Sequence, residues 1–212
     1  MPTTETTAPV IVIDDDESVR DALTGLFQSV GLATRGYGSV QAFLDSGSPD
    51  DAGCIVLDIR LPGRSGLEFQ EALSRSGSAC PVVLISAHVD VQMAVRAMKA
   101  GAVDVLTKPV REQDLLEAVN RALALDRSRR IEADQDAALQ ARYGGLTERE
   151  RQVLALVAAG LLNKQIASRV SITEATVKLH RSQVMRKMEA ASLPDLVRMA
   201  DRLAIISSVA AY

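Results

Sequence analysis

Four short apolar runs in the first half of the chain each end in a polar side chain. They are Val10–Ile13 before Asp14, Asp15 and Asp16, residues 54–57 before Asp58, residues 82–85 before Ser86, and residues 103–106 before Thr107, Lys108 and Pro109. Runs this short, unbroken by a polar position except at Asp104 in the last, read as strands buried on both faces, the pattern of a parallel sheet. Between them lie segments of helical periodicity at about 17–30, 39–47, 65–75, 90–100 and 112–126, with a weaker strand near 33–37. Five strands alternating with five helices predict a doubly wound α/β domain with right-handed crossovers. In such a sheet the carboxyl ends of the strands share one edge, where ligands bind.

Beyond Gly144 and Gly145 the pattern becomes wholly helical. Thr147 with Glu150 three residues on is a capping box, and Val153, Leu154 and Val157 follow at helical spacing, predicting a helix over about 148–159 that Gly160 ends. Asn163 is placed to cap a short second helix reaching Val170. Ser171, Ile172 and Thr173 make a tight turn, Thr173 caps a third helix reaching about Met188, and a fourth follows Pro194. The middle pair is a helix-turn-helix in an all-α four-helix domain. Residues 126–143 contain neither Gly nor Pro, are rich in helix formers and carry a sparse apolar row, which predicts a helical linker continuous with the preceding helix. The expected organisation is an α/β domain over 8–125, this linker over 126–143 and the helical domain over 144–208.

Composition narrows the class. The chain has 212 residues, enough for two ordinary domains, and 47% are hydrophobic, which excludes a disordered protein. No apolar stretch approaches the roughly 18 residues of a membrane span, and the opening MPTTETTAPV lacks the features of a signal peptide, so a cytoplasmic protein without membrane partners is expected. Cys54 and Cys80 are too few and too scattered for a metal site and read as buried thiols. The net charge of −3 hides a split: residues 1–125 carry 10 basic and 17 acidic side chains, whereas residues 126–212 carry 14 and 10. The basic second part suits an anionic partner.

Candidate chemistry follows from the strand ends. Asp14, Asp15, Asp58, Ser86 and Lys108 would meet in one pocket of carboxylates, a hydroxyl and an ammonium. Carboxylates that close repel unless a hard cation sits among them, and Mg2+ held by carboxylates and phosphate oxygens is the usual answer. Phosphoryl chemistry is the implication. On the third helix, at about 100° per residue, Val177, Val184 and Met188 share the inner side, and Lys178, Leu179, Ser182 and Arg186 face away. An exposed Leu beside a Lys and a hydroxyl suits a major groove, where apolar atoms meet thymine methyls and Lys meets guanine acceptors. Lys164, Thr173, Thr176, His180 and Arg181 would border that groove on double-stranded DNA, chiefly at phosphates.

The strings around Asp14 and Asp15, the segment LDIRLPGRSG around Asp58, Ser86-Ala87 and Lys108-Pro109 resemble the receiver domains of two-component response regulators. LTERERQVLALVAAG, NKQIA and TEATVKLHRSQVMRKM resemble the LuxR-type DNA-binding domain. The pairing is that of the FixJ and NarL class of transcriptional regulators. The resemblance implies a flavodoxin-like sheet of strand order 2-1-3-4-5. It makes Asp58 the phosphoacceptor from a sensor histidine kinase, and Asp14, Asp15, Asp58 and the backbone carbonyl of Arg60 the Mg2+ ligands. It further implies that Lys108 pairs with the phosphoryl group, that Ser86 swings to bond it, and that the Lys108-Pro109 peptide is cis. A homodimer through about residues 90–125, contact with RNA polymerase and transcriptional activation complete the implied picture.

Two positions depart from the family pattern. Val105 stands where receivers usually carry Phe or Tyr, which puts the aromatic relay in doubt, and Ser182 stands where many relatives carry a basic residue. His88, two residues after Ser86, lies near the expected pocket mouth, where it either tunes the lifetime of the phosphoryl group or is a plain surface side chain. Two rival readings remain. One is a hydrolase of the haloacid dehalogenase type, against which Arg60 stands where such enzymes need a second Asp. The other is a DNA-binding dimer whose receiver-like half is never phosphorylated.

Overall fold

The computed structural model describes residues 8–205. Residues 1–7, and residues 206–208 of the expected helical domain, lie outside the described residues. All four apolar runs form strands: β1 Val10–Ile13, β3 Cys54–Asp58, β4 Val82–Ser86 and β5 Asp104–Thr107, joined at one edge by β2 Thr34–Tyr37. The sheet is parallel throughout in the order β2-β1-β3-β4-β5. Its helices are α1 Glu17–Ser29, α2 Val40–Ser46, α3 Gly66–Arg75, α4 Val91–Lys99 and the start of α5, which runs Glu112–Gly144.

The three central strands are buried along their whole length, because helices cover both faces. One face packs Ile11, Ile13, Ile55, Leu57 and Leu84 against α2 and α3. The other packs Val10, Val12, Val56, Val83 and Ile85 against α1 and α5 through Phe27, Leu115 and Val119. Alternate residues of each strand thus supply two cores, as a period of two requires. Cys54 and Cys80 are free buried thiols, and burial pushes the Cys80 thiol up to about 12.

The chain divides into two compact units between Arg130 and Ile131, inside α5. Helix α5 is therefore continuous through the whole segment expected to be a linker. In the first unit its fourth turn is anchored: buried Asp126 accepts from Arg129 and Arg130, each at 2.6 Å, and Arg130 also donates to the carbonyls of Asp50 and Ala52 at 2.7 and 3.1 Å.

The second unit contains α6 Glu148–Ala158, α7 Asn163–Arg169, α8 Glu174–Met188 and α9 Leu193–Arg202. The capping box forms as expected, Thr147 Oγ1 accepting from Glu150 N at 3.3 Å and Glu150 Oε2 from Thr147 N at 2.7 Å. Lys187 of α8 donates to the same carboxylate oxygen at 2.7 Å. Gly160 ends α6 at φ +82°, and the turn before α8 places Ser171 at φ 53°. One cap differs from expectation. Leu162 is the flanking residue of α7, its N–H satisfied by Gln165 Oε1 at 2.8 Å, and Asn163 is already helical. Its side chain is committed elsewhere, as described below.

Candidate functional site

The first unit gathers its polar strand ends at one edge of the sheet. Asp14 directly follows β1, Asp58 ends β3 and Ser86 ends β4, and these three are 0%, 6% and 0% exposed. Lys108 follows β5, where its N–H extends the ladder to the Ser86 carbonyl at 2.8 Å, and the Lys108-Pro109 peptide is cis. The Lys108 ammonium bridges the two buried carboxylates, donating to Asp14 Oδ2 at 2.7 Å and Asp58 Oδ2 at 2.5 Å. Their other oxygens take backbone N–H groups two residues on, Asp16 N at 3.0 Å on Asp14 and Arg60 N at 2.9 Å on Asp58. Every carboxylate oxygen of this buried pair is thus held by a donor, as buried charge requires.

Asp15 is exposed at the rim, and carboxylate oxygens of Asp14, Asp15 and Asp58 lie within 4.8 Å of one another. Asp16, the third acidic residue of the run, turns away to cap α1, accepting from Ser18 N at 2.9 Å and Ser18 Oγ at 2.6 Å. Burial raises the Asp14 carboxyl above its ordinary range and outweighs Lys108 beside it. Burial also works against the Lys108 ammonium, but the two carboxylates outweigh it and the ammonium is held above its usual value. The Ser86 hydroxyl does not reach this cluster and donates to the His88 carbonyl at 3.2 Å. The His88 side chain is exposed. Val105 is half-buried and packs against the core face shared with α3.

The loop after β3 is folded back on the site. Gly66 N and Ser65 Oγ both donate to the Ile59 carbonyl, at 3.0 and 3.1 Å. A Cβ on Gly66 would stand 2.1 Å from the Asp58 carbonyl oxygen, so only glycine permits α3 to begin against the strand that carries Asp58.

In the second unit the inner face of α8 is Val177, Val184 and Met188, each at most 1% exposed. Lys178, Leu179, Ser182 and Arg186 are exposed, as is Lys164 on α7. Thr173 caps α8, accepting from Thr176 N at 3.1 Å, and the two threonine hydroxyls are 2.8 Å apart. His180 and Thr176 are half-buried beside them. Arg181 is not part of the open face: its guanidinium donates to Asn163 Oδ1 at 2.7 Å. Periodicity along one helix shows which side a residue takes but not a partner 18 residues away, so this bridge had no sequence signal.

Two family profiles match the chain, one for the response regulator receiver domain over residues 10–120 and one for bacterial regulatory proteins of the luxR family over residues 145–200. Nodulation protein W of Bradyrhizobium diazoefficiens is 48% identical over 200 residues, covering 94% of this chain and 88% of that protein. The transcriptional regulatory protein FixJ of Azorhizobium caulinodans is 46% identical over 192 residues, 91% of each chain. Among solved structures, the response regulator StyR is similar with a TM-score of 0.82 and 44% identity, over 92% of this chain and 98% of that one.

Proposed function

The chain belongs to the response regulators that join a receiver domain to a LuxR-type DNA-binding domain, and from this premise we propose a residue-level mechanism. Members of this family are transcription regulators controlled by phosphorylation, not enzymes, so the hydrolase reading falls. In our reading Asp58 is the phosphoacceptor. A carboxylate oxygen attacks the phosphorus of a phosphohistidine on a sensor kinase, the O–P bond forms as the P–N bond breaks, and the imidazole leaves.

The donor set fits Mg2+, a cation that receiver domains generally bind. Asp14, Asp15, Asp58 and the Arg60 carbonyl offer only hard oxygens, and three carboxylates beside one ammonium leave a formal charge of −2 for a divalent ion to balance. When bound, the ion offsets repulsion between the acceptor carboxylate and the incoming phosphoryl oxygens. Lys108, which bridges the two buried carboxylates, pairs with the added phosphoryl group. Ser86 exchanges its bond to the His88 carbonyl for one to a phosphoryl oxygen. The observation that carries this reading is the Lys108 ammonium shared between Asp14 and Asp58 at converging strand ends.

Phosphorylation then favours a homodimer. Exposed Val91, Val95 and Met98 on α4 and Leu125 on α5 support pairing through about residues 90–125. Two copies present two α8 helices to a palindromic duplex about one helical turn apart, with Lys178 and Leu179 at base edges and Lys164 at phosphates. Contact with RNA polymerase and activation of transcription belong to the same proposal. Among the described residues no helix is long and apolar enough to cross a membrane, in keeping with a cytoplasmic site of action. The receiver unit, the linking stretch of α5 and the DNA-binding unit correspond in this reading to residues 8–125, 126–143 and 144–208.

Incubation with acetyl phosphate and Mg2+ tests the reading: mass spectrometry should record one added phosphoryl group, absent in Asp58→Asn. Gel shifts against DNA selected from a random pool should then tighten on modification. Val105 in place of an aromatic favours the second reading, a dimer that is never phosphorylated, and an unmodified wild type would establish it instead.

A further inference from the structure

Helices α7 and α8 meet through apolar side chains and one polar bridge. Ile166 and Ala167 share a buried cluster with Val177 and Val184. Across them the Arg181 guanidinium donates to Asn163 Oδ1, the one side-chain hydrogen bond between the two helices among the described residues. Asn163 opens α7, and Arg181 stands about two turns into α8. Half-buried Arg181 also lines a small cavity of about 160 Å3 with Leu154, Val184, Met185 and Leu196.

Ridge-into-groove packing sets only a preferred class of helix crossing, about which individual pairs scatter by about 15–20°, so the final angle of a given pair depends on its particular contacts. A swing of roughly 10° moves a side chain about 10 Å from the pivot by about 2 Å, more than a base-edge hydrogen bond tolerates. Flexible lysines on phosphates absorb such a shift. We propose that Arg181 is a positioning residue: by holding Asn163 it sets the crossing of α7 and α8, and so the register of Lys178 and Leu179 on base edges. This rests on the DNA-binding reading above and replaces the phosphate contact that the sequence suggests for Arg181.

The experiment uses the full chain treated with acetyl phosphate and Mg2+. Fluorescence anisotropy measures its affinity for a duplex selected by the wild type from a random pool, and for poly(dI-dC), across a salt series. Arg181→Ala and Asn163→Ala should each weaken the selected duplex about tenfold, leave poly(dI-dC) within about twofold, and keep the salt slope. Asn163→Asp retains an acceptor for Arg181 and should keep the wild-type ratio between the two DNAs. A uniform loss on both DNAs with the slope reduced by about 0.9 would make Arg181 a phosphate contact and overturn the proposal. A lowered melting temperature with the ratio unchanged would make the bridge purely structural and overturn it equally. A wild type that prefers no duplex would end the DNA-binding reading itself, and the proposal with it.

Discussion

In the first unit Asp14, Asp58 and Ser86 are at most 6% exposed, whereas in the second Leu179 is 58% exposed and Lys178 and Ser182 stand in solvent beside it. Side chains that must meet one another are held by buried strands whose main-chain positions leave no slack. Side chains offered to a large partner project from a helix whose opposite face does the folding. In the receiver unit, then, structure and site share atoms, and in the DNA-binding unit they sit on opposite sides of one helix. A core substitution should damage the site in the first and, away from the Asn163–Arg181 tie, spare it in the second.

The largest expected effect is at Gly66. Gly66→Ala drives a Cβ into the Asp58 carbonyl, and because both sides of the clash are main chain it should cost roughly 3 kcal/mol or more. Amide exchange confined to the first unit should report that loss together with slower acetyl-phosphate labelling; unimpaired labelling would break the comparison. Next comes Glu150→Gln, which leaves the bonds of this buried side chain with Thr147 and half-buried Lys187 half-satisfied at about 2 kcal/mol. Burial pushes the Glu150 carboxyl up, but Lys187 and Thr147 outweigh it and hold it below the usual range. The stability it supplies is complete above the ordinary glutamate range and lost as pH falls through its lowered value. Acid titration of the second unit should therefore flatten in the variant.

Ile166→Val should cost about 1 kcal/mol by leaving a methylene-sized gap in the interior of the second unit. Affinity for selected DNA, corrected for folded fraction, should not change, and a drop would blur the separation of core from face. The smallest effect is expected at Arg96→Gln, which removes a two-pronged pair with Glu71 on the exposed surface between α3 and α4. Its melting temperature should be indistinguishable from wild type, since exposed pairs contribute little.

Legibility in the sequence followed the same division. The buried strands β1, β3 and β4 announce themselves as unbroken apolar runs; of the polar residues that end them, Asp14 and Asp58 meet at Lys108, and Ser86 bonds the His88 carbonyl instead. The edges were fainter: β2 reads Thr-Arg-Gly-Tyr because its middle positions are exposed, and β5, half-exposed, lies one residue later than the run suggests. Helix starts were readable where Thr147 and Thr173 cap them; the last helix, expected after Pro194, begins at Leu193 behind a Ser192 cap, and the start shifted at α7, where Gln165 does the work that Asn163 seemed placed to do. The cross-ties were unreadable. Arg181 with Asn163, Lys187 with Glu150 and Arg96 with Glu71 join residues 18, 37 and 25 positions apart, and no local period marks a charged side chain for a distant partner.

Helix α5 carries one more consequence. Its turn at Asp126 is pinned through Arg130 to the segment before β3, and Leu139 is buried in the second unit, but every residue from 131 to 138 is exposed. Eight residues of solitary helix would melt in water, since initiating a helix is the unfavourable step and so short a segment cannot recover it. Here winding is already under way at either end, and the stretch persists as a splice between two finished coils. Its own letters need only be compatible with a helix, except at Asp136, whose carboxylate pairs with Arg202 of α9 at 2.6 Å.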